Sequence, residues 1–374
     1  MSKRKGSGGK SQLSLGGLIV VLILAAIGYL FSDGGGGTAV PPPGNNTPPT
    51  PSGQAAAWYE IYFTDPTCPP EAERQGGLED IIVEDLHQAQ VGVDLAAFEF
   101  NLEPMVDAFL ELEERGIPVR VVIDTDYEDE SAIRRLRRGG ISVVPDDRSA
   151  LMHNKFLVID GRYTWVGSMN FTTNGVYCNN NNLVRIDSPQ LAQNYITELD
   201  EMYDDREFGP RSPENTPNEQ LTIGGVQIEN YFAPEKEVAP IIGDLVNTAQ
   251  NEILFMAFSF TIDLVGEPML DRAEAGVTVR GVFETTGSES EFSYYGEMKA
   301  AGMNNVQVRQ DGNSRIMHHK VIIIDRQTVI LGSFNFSNSA NDSNDENIVV
   351  VHDPTFTSFF VEEFNAVWDE AKQE

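Results

Sequence analysis

MHNKFLVID at residues 152–160 returns as MHHKVIIID at 317–325. The echo is not isolated. YFTDP (62–66) is answered by YFAPE (231–235), LAAFEF (95–100) by LFMAFSF (254–260), and GIPVRVVID (116–124) by GVTVRGVFE (276–284). Four matches in one order are the mark of a duplication, so the chain is expected to fold as two similar halves, 57–206 and 221–374. The stretch between them, 207–220, is rich in Pro, Asn and Glu and reads as a linker.

Each half alternates helix-like and strand-like stretches. In the first, LEDIIVEDLHQAQ reads as a helix and VGVDLAAFEF as a strand. MVDAFLELEERG reads as a helix stopped by Gly116, followed by the strand VRVVID, the basic helix SAIRRLRRGG and the strand ISVV. The second half repeats this order. The fold class is therefore α/β, a sheet covered by helices on its faces.

The duplicated nonamer carries the chemistry. Alternate side chains of a strand share a face, so His153 points with Lys155 and His318 with Lys320. The apolar runs FLVI and VIII place each pair at the entrance of a buried strand. Asp160-Gly161 is a favoured hairpin pair. A tight turn there brings Ser168 opposite His153, with Asn170 just beyond. The same spacing brings Ser333 opposite His318, with Asn335 beyond, although Asp325-Arg326 is a poorer turn pair and suggests a longer loop. Lys and Asn donors suit phosphate oxygens. Histidine suits nucleophilic or acid–base work near neutral pH. If the halves pack about a pseudo-twofold axis, two histidines face each other across one cleft, as in-line displacement at phosphorus requires.

The full pattern stands as His153-x-Lys155-x4-Asp160-x6-Gly167-Ser168-x-Asn170 and as His318-x-Lys320-x4-Asp325-x6-Gly332-Ser333-x-Asn335. It resembles the paired HKD motif of the phospholipase D superfamily, and the resemblance runs from about Trp58 to the C-terminus. It implies two α/β/α sandwich halves joined in one unit. It implies His153 as nucleophile, His318 as general acid and then base, and Lys155, Lys320, Asn170 and Asn335 as holders of the phosphate. Ser168, Ser333, Asp160 and Asp325 would support the site. The family often places an acid twenty-eight residues after the histidine. The second copy has Glu346 there, followed by Asn347, whereas the first has Asn181 and Asn182, so the carboxylate support of one imidazole departs from the pattern. No metal and no cofactor is implied. With both motifs in one chain, activity as a monomer is expected.

The start of the chain is different in kind. Residues 1–12 hold Lys3, Arg4, Lys5 and Lys10 without an acid, and 13–31 hold no charge at all. A bilayer-spanning helix needs roughly 20 apolar residues. The basic flank would stay in the cytoplasm, which places the rest of the chain outside at the cell membrane. A cleaved signal peptide is the competing reading. Residues 32–56 are rich in Gly and Pro and read as a stalk.

A formal net charge of −31 repels polyanions at long range. That argues against a general nucleic-acid-coating protein and leaves room for a locally basic cleft. The anchor, by holding the site near lipid, favours a phospholipid as the phosphodiester substrate, with a nuclease of the same superfamily as the alternative and a non-catalytic binding module third. Cys68 and Cys178 are either one disulfide or two free thiols. Arg134, Arg135, Arg137 and Arg138 read first as a solvated helix face and second as a headgroup or polynucleotide dock. Asp124 and Glu284 end equivalent strands, where they either orient a lysine or solvate the strand end. Phe98, Phe100, Phe258 and Phe260 read as core.

Overall fold

The computed structural model describes residues 54–372. The expected anchor over 13–31, with its basic flank and most of the stalk, lies outside the described residues. Among those described, no helix is long and apolar enough to cross a membrane.

The first half contributes nine strands: β1 (Gln54–Ala56), β2 (Tyr59–Phe63), β3 (Val93–Ala97), β4 (Val119–Ile123), β5 (Ser142–Pro145), β6 (Lys155–Ile159), β7 (Tyr163–Gly167), β8 (Asn179–Asn180) and β9 (Asn182–Asp187). The second contributes β10 (Gln220–Ile223), β11 (Val226–Ala233), β12 (Glu252–Ala257), β13 (Thr278–Phe283), β14 (Val306–Gln310), β15 (Ile316–Met317), β16 (Lys320–Ile324), β17 (Thr328–Gly332) and β18 (Glu346–His352). Two eight-stranded sheets result, with orders β1-β2-β9-β7-β6-β3-β4-β5 and β10-β11-β18-β17-β16-β12-β13-β14. The eight strands of each large sheet thus follow one order in both halves, while β8 and β15 stand at different places in their halves and pair with each other. β1 begins inside the segment read as stalk, and the 207–220 connection is partly packed, with Phe208 buried.

Central strands β6 and β16 are buried at every residue. That is why they read as unbroken apolar runs: both faces of each sheet are covered. One face packs on the half's own helices, giving two private cores. The other faces into a third core shared by both sheets. The helices Pro189–Asp200 and Pro354–Glu370 supply much of that shared layer. Both start in the same way. Ser188 accepts from the Leu191 amide and Asp353 from the Phe356 amide, each followed by a proline in the first turn. Tyr195 ties the halves together: its ring lies 4.9 Å from Phe156 and 5.0 Å from Phe232.

The hairpin after each motif differs from expectation by one residue. Its turn is centred on Asp160-Gly161, both with positive φ, and the Arg162 amide donates to the Ile159 carbonyl. The strands then pair Ile159 with Tyr163 and Phe156 with Val166. One extra residue therefore stands on the returning strand, as in a bulge, and Ser168 is not delivered opposite His153. The second hairpin is no longer than the first. Asp325 and Arg326 both take positive φ, and Ile324 pairs with Thr328.

Candidate active site

Each motif segment enters the opposite half before its strand begins. Ile316–Met317 pairs in parallel with Asn179–Asn180, and Met152 bridges Asp345. The His153 amide donates to the Asp345 carbonyl, and the His318 amide donates to the Asn180 carbonyl, both at 2.9 Å. This exchange decides which side chain supports which histidine. Nδ1 of His153 lies 2.8 Å from Oε2 of Glu346, which also accepts from Ser333 Oγ at 2.6 Å. Nδ1 of His318 lies 3.0 Å from Oδ1 of Asn181, which also accepts from Ser168 Oγ at 2.9 Å. The Asn181 amide nitrogen donates to the Gly175 carbonyl, so its oxygen must face the histidine. With both Nδ1 atoms engaged, Nε2 is the nitrogen each imidazole has left for a substrate.

The serines thus belong to the support of the histidine across the interface, and not to a phosphate site in their own half. Asp160 and Asp325 stand at the far ends of β6 and β16. There they accept from the backbone amides of Gln90, Val91 and Gly92, and of Gln250, Asn251 and Glu252. They stabilise the two hairpins and touch no histidine. The motif glycines have a steric reason. A Cβ on Gly167 would meet the Asn182 carbonyl oxygen at 2.3 Å, and one on Gly332 the Asn347 oxygen at 2.2 Å. The return strand that carries the supporting residue passes directly over that glycine.

Lys155 and Lys320 are buried. Each Nζ donates to the carbonyl of its own half's histidine, at 2.8 and 2.9 Å. Phe98 lies with its ring 4.9 Å from His153 and 5.0 Å from Lys155 Nζ, and Phe258 repeats this with His318 and Lys320 at 4.9 and 4.8 Å. These two rings wall the site, whereas Phe100 and Phe260 belong to the private cores. Alternation alone does not separate the two rings of each segment, since Phe98 shares a strand face with Phe100 and Phe258 with Phe260. Asn170 donates to Glu99 at 3.4 Å, and its Oδ1, like that of Asn335, is buried without a partner. The variable residues of the motif point to the opposite face. Asn154 bonds Asn347 and Glu198, and His319 bonds Asn182 and Glu363. Asp124 accepts from the Met152 amide and Glu284 from the Gly287 amide, so both serve backbone and neither bonds a lysine. Two of the four arginines of the basic helix are paired with neighbouring acids: Arg135 with Glu103 and Asp107, and Arg137 with Glu128.

Desolvation dominates the electrostatics. It holds His153 and His318 well below the ordinary histidine range, helped by the two lysines. It lowers Lys155 to about 7 against the pull of Glu346, Asp124 and Glu99, and pushes Lys320 well down, helped by Lys155. Glu346 is driven up to about 8 by burial, with Lys155, the Ser333 bond and Lys320 opposing. His153 senses charge on Lys320 and His318, and His318 senses Lys155, so the two sets share one cleft. Charge there is expensive until an anion arrives to offset it.

A duplicated α/β scaffold whose halves each send a His-x-Lys pair into one shared cleft defines a two-motif class of protein. The chain belongs to the phospholipase D superfamily: the profile described as "Cardiolipin synthase, PLD-like domain" matches residues 82–203 and 242–368, one match in each half. It is 37% identical over 121 residues to the mitochondrial cardiolipin hydrolase of Danio rerio, covering 32% of this chain and 53% of that protein. It is 29% identical over 136 residues to the phospholipase D of Rickettsia bellii, covering 36% and 66%. Its matches thus span roughly half to two thirds of these curated relatives. Among solved structures, the phosphatidylserine synthase of Haemophilus influenzae Rd KW20 superposes with a TM-score of 0.65 at 13% identity, over 83% of this chain and 86% of that one. That likeness concerns the fold.

Proposed function

We propose that the protein is a phospholipase D-type phosphodiesterase that hydrolyses a phospholipid through a phosphohistidine intermediate. The observation that carries the reading is the pair of buried histidines in one cleft. Each is held through Nδ1 by a residue of the other half, beside two buried lysines. His153 Nε2 attacks phosphorus. As the N–P bond forms, the bond to the departing alcohol breaks and His318 protonates its oxygen. Water then attacks phosphorus, His318 takes its proton, and the electron pair of the N–P bond returns to His153. Lys155, Lys320, Asn170 and Asn335 spread the phosphoryl charge.

A lipid is favoured over a nucleic acid by charge. The loop after β4 carries Asp126, Asp129 and Glu130 just past Asp124, which accepts from the Met152 amide beside His153, and these acids would repel a polyanion. The names of the Danio and Rickettsia relatives agree with a lipid substrate. The same reading has residues 13–31 anchor the chain, with the globular part outside the cytoplasm. The disulfide between Cys68 and Cys178 suits that compartment. The test offers full-length protein to phospholipid vesicles, single-stranded DNA and RNA, with and without EDTA. Release of a lipid headgroup, undiminished by chelator, is expected. Cleavage of nucleic acid alone, or loss in EDTA that a divalent ion restores, overturns the reading.

A further inference from the structure

Behind each motif histidine runs a chain of buried hydrogen bonds. In the chain behind His318, Nδ1 meets Asn181 Oδ1 at 3.0 Å, and Ser168 Oγ donates to the same oxygen at 2.9 Å. Ser168 Oγ accepts in turn from Asn182 Nδ2 at 3.3 Å. The same Nδ2 lies 2.9 Å from Nδ1 of His319, whose Nε2 lies 3.0 Å from Glu363. The chain behind His153 is built alike, with Asn154 in the place of His319 and Glu198 in the place of Glu363. One anchor is missing from the first chain. Asn347 Oδ1 accepts from the Tyr195 hydroxyl at 3.2 Å. The residue at the place of Tyr195 in the other half is Phe360, which has no hydroxyl, and Asn182 Oδ1 is buried without a partner. The orientation of the Asn182 amide therefore rests on His319 and Ser168. We propose that His319, the residue between the histidine and the lysine of the second motif, is a positioning residue. Its Nδ1 lone pair holds Asn182 and Ser168 in the one arrangement that fixes His318 for taking a proton from water. The inference rests on the phosphodiesterase reading above.

A histidine completes this chain in one way. Asn182 Nδ2 donates, so Nδ1 of His319 presents its lone pair and Nε2 gives its hydrogen to Glu363. Asn154 meets the same demand with an amide: Oδ1 accepts from Asn347 at 2.7 Å, and Nδ2 donates to Glu198 at 3.0 Å. Each position thus needs one acceptor towards the return strand and one donor towards an acid. Without the lone pair of His319, the Asn182 amide gains by turning over, because its orphaned Oδ1 would then face Ser168 Oγ. The serine has one hydrogen to give. Drawn to Asn182, that hydrogen leaves Asn181 Oδ1, and the His318 ring loses the fixed acceptor that aims its Nε2 into the cleft. A nitrophenolate leaving group needs no proton, so the defect falls on the second step, in which His318 takes the proton of the attacking water.

The test compares His319→Leu, which removes the acceptor, with His319→Asn, which restores it as Asn154 does. Full-length protein is mixed with a phosphodiester that carries a nitrophenolate leaving group. Rapid quench then reads two rates, release of the first nitrophenolate and decay of the phosphorylated protein. In His319→Leu the decay should slow by about tenfold, the cost of one lost buried hydrogen bond, while the first release stays within about threefold of the parent. His319→Asn should keep both rates within about threefold. Equal slowing of both rates in His319→Leu, an unchanged decay there, or a loss in His319→Asn as deep as in His319→Leu overturns the proposal. Should His319→Leu fold poorly, Asn182→Ala cuts the next link of the same chain and must show the same split between the two rates, and its absence overturns the proposal equally. A parent that forms no phosphorylated protein overturns the phosphohistidine reading instead.

Discussion

Burial brings the Lys155 ammonium to about 7, so in the empty cleft it is largely neutral at pH 8 and protonated at pH 6. A bound phosphodiester anion favours the protonated form. Affinity for a non-hydrolysable phosphonate monoester, singly charged over this range by choice of ester, should therefore rise as pH falls from 8.5 to 6.5. The gain approaches about tenfold per unit above the pKa and flattens below it. Calorimetric titration at several pH values checks this, and a flat profile contradicts it. At this scale the sequence showed the His and Lys pairs because strand alternation forces them onto one face. It could not show which histidine Glu346 serves. That depends on Met152 bridging Asp345 across the halves, a contact that no local pattern encodes. The position of Asn181 was legible, but its partner was not.

The return strands β9 and β18 are the elements that set the supports, and the motif glycines fix how closely they pass. Gly332 has φ of 147° and no room for a Cβ. Gly332→Ala should cost on the order of 2 kcal/mol or more, and should lower kcat further by shifting the strand that begins at Glu346. Urea unfolding beside activity measures both. A variant that keeps parent stability and rate contradicts the close-approach account. The segment leading to Asn181 is held by a disulfide between Cys68 and Cys178, 110 residues apart in sequence. In the chain-entropy account such a link is worth about 4–5 kcal/mol, so reducing it should lower the urea midpoint. Equal midpoints with and without reductant would contradict that role. Alternating helices and strands were legible here because each periodicity is local. The hairpin register was not. The turn pair reads as a two-residue loop, and the extra residue at Arg162 follows from how β7 meets β6 and β9.

Over the whole molecule, the shared core brings acids together. Burial raises Asp124, Glu201 and Asp345 to about 7, and Glu235 and Glu346 to about 8. A carboxyl raised on folding is protonated in the folded chain and ionised in the unfolded one between the ordinary range and its folded value. Its contribution is therefore full at low pH and is lost as pH rises toward 7 to 8. Lys155, lowered to about 7, acts in the opposite sense only above that pH, and the two histidines only below their ordinary range. Lys320 opposes across the window, but five carboxyls outweigh it. Thermal unfolding should thus occur at a higher temperature at pH 6 than at pH 8, and the reverse order contradicts these burial assignments. The duplicated architecture was legible at this scale because all four echoes keep one order. The common core was not, since it forms from faces that look equally apolar in both halves.

The central claim is that the two halves supply one nucleophile and one acid to the same phosphoryl group. It is tested most directly by the first turnover of His153→Ala and His318→Ala on a phosphodiester whose nitrophenolate leaving group needs no proton. The account predicts that His318→Ala releases about one nitrophenolate per protein and then stalls, while His153→Ala releases none. A burst from His153→Ala, or from neither variant while the parent turns over, would contradict it.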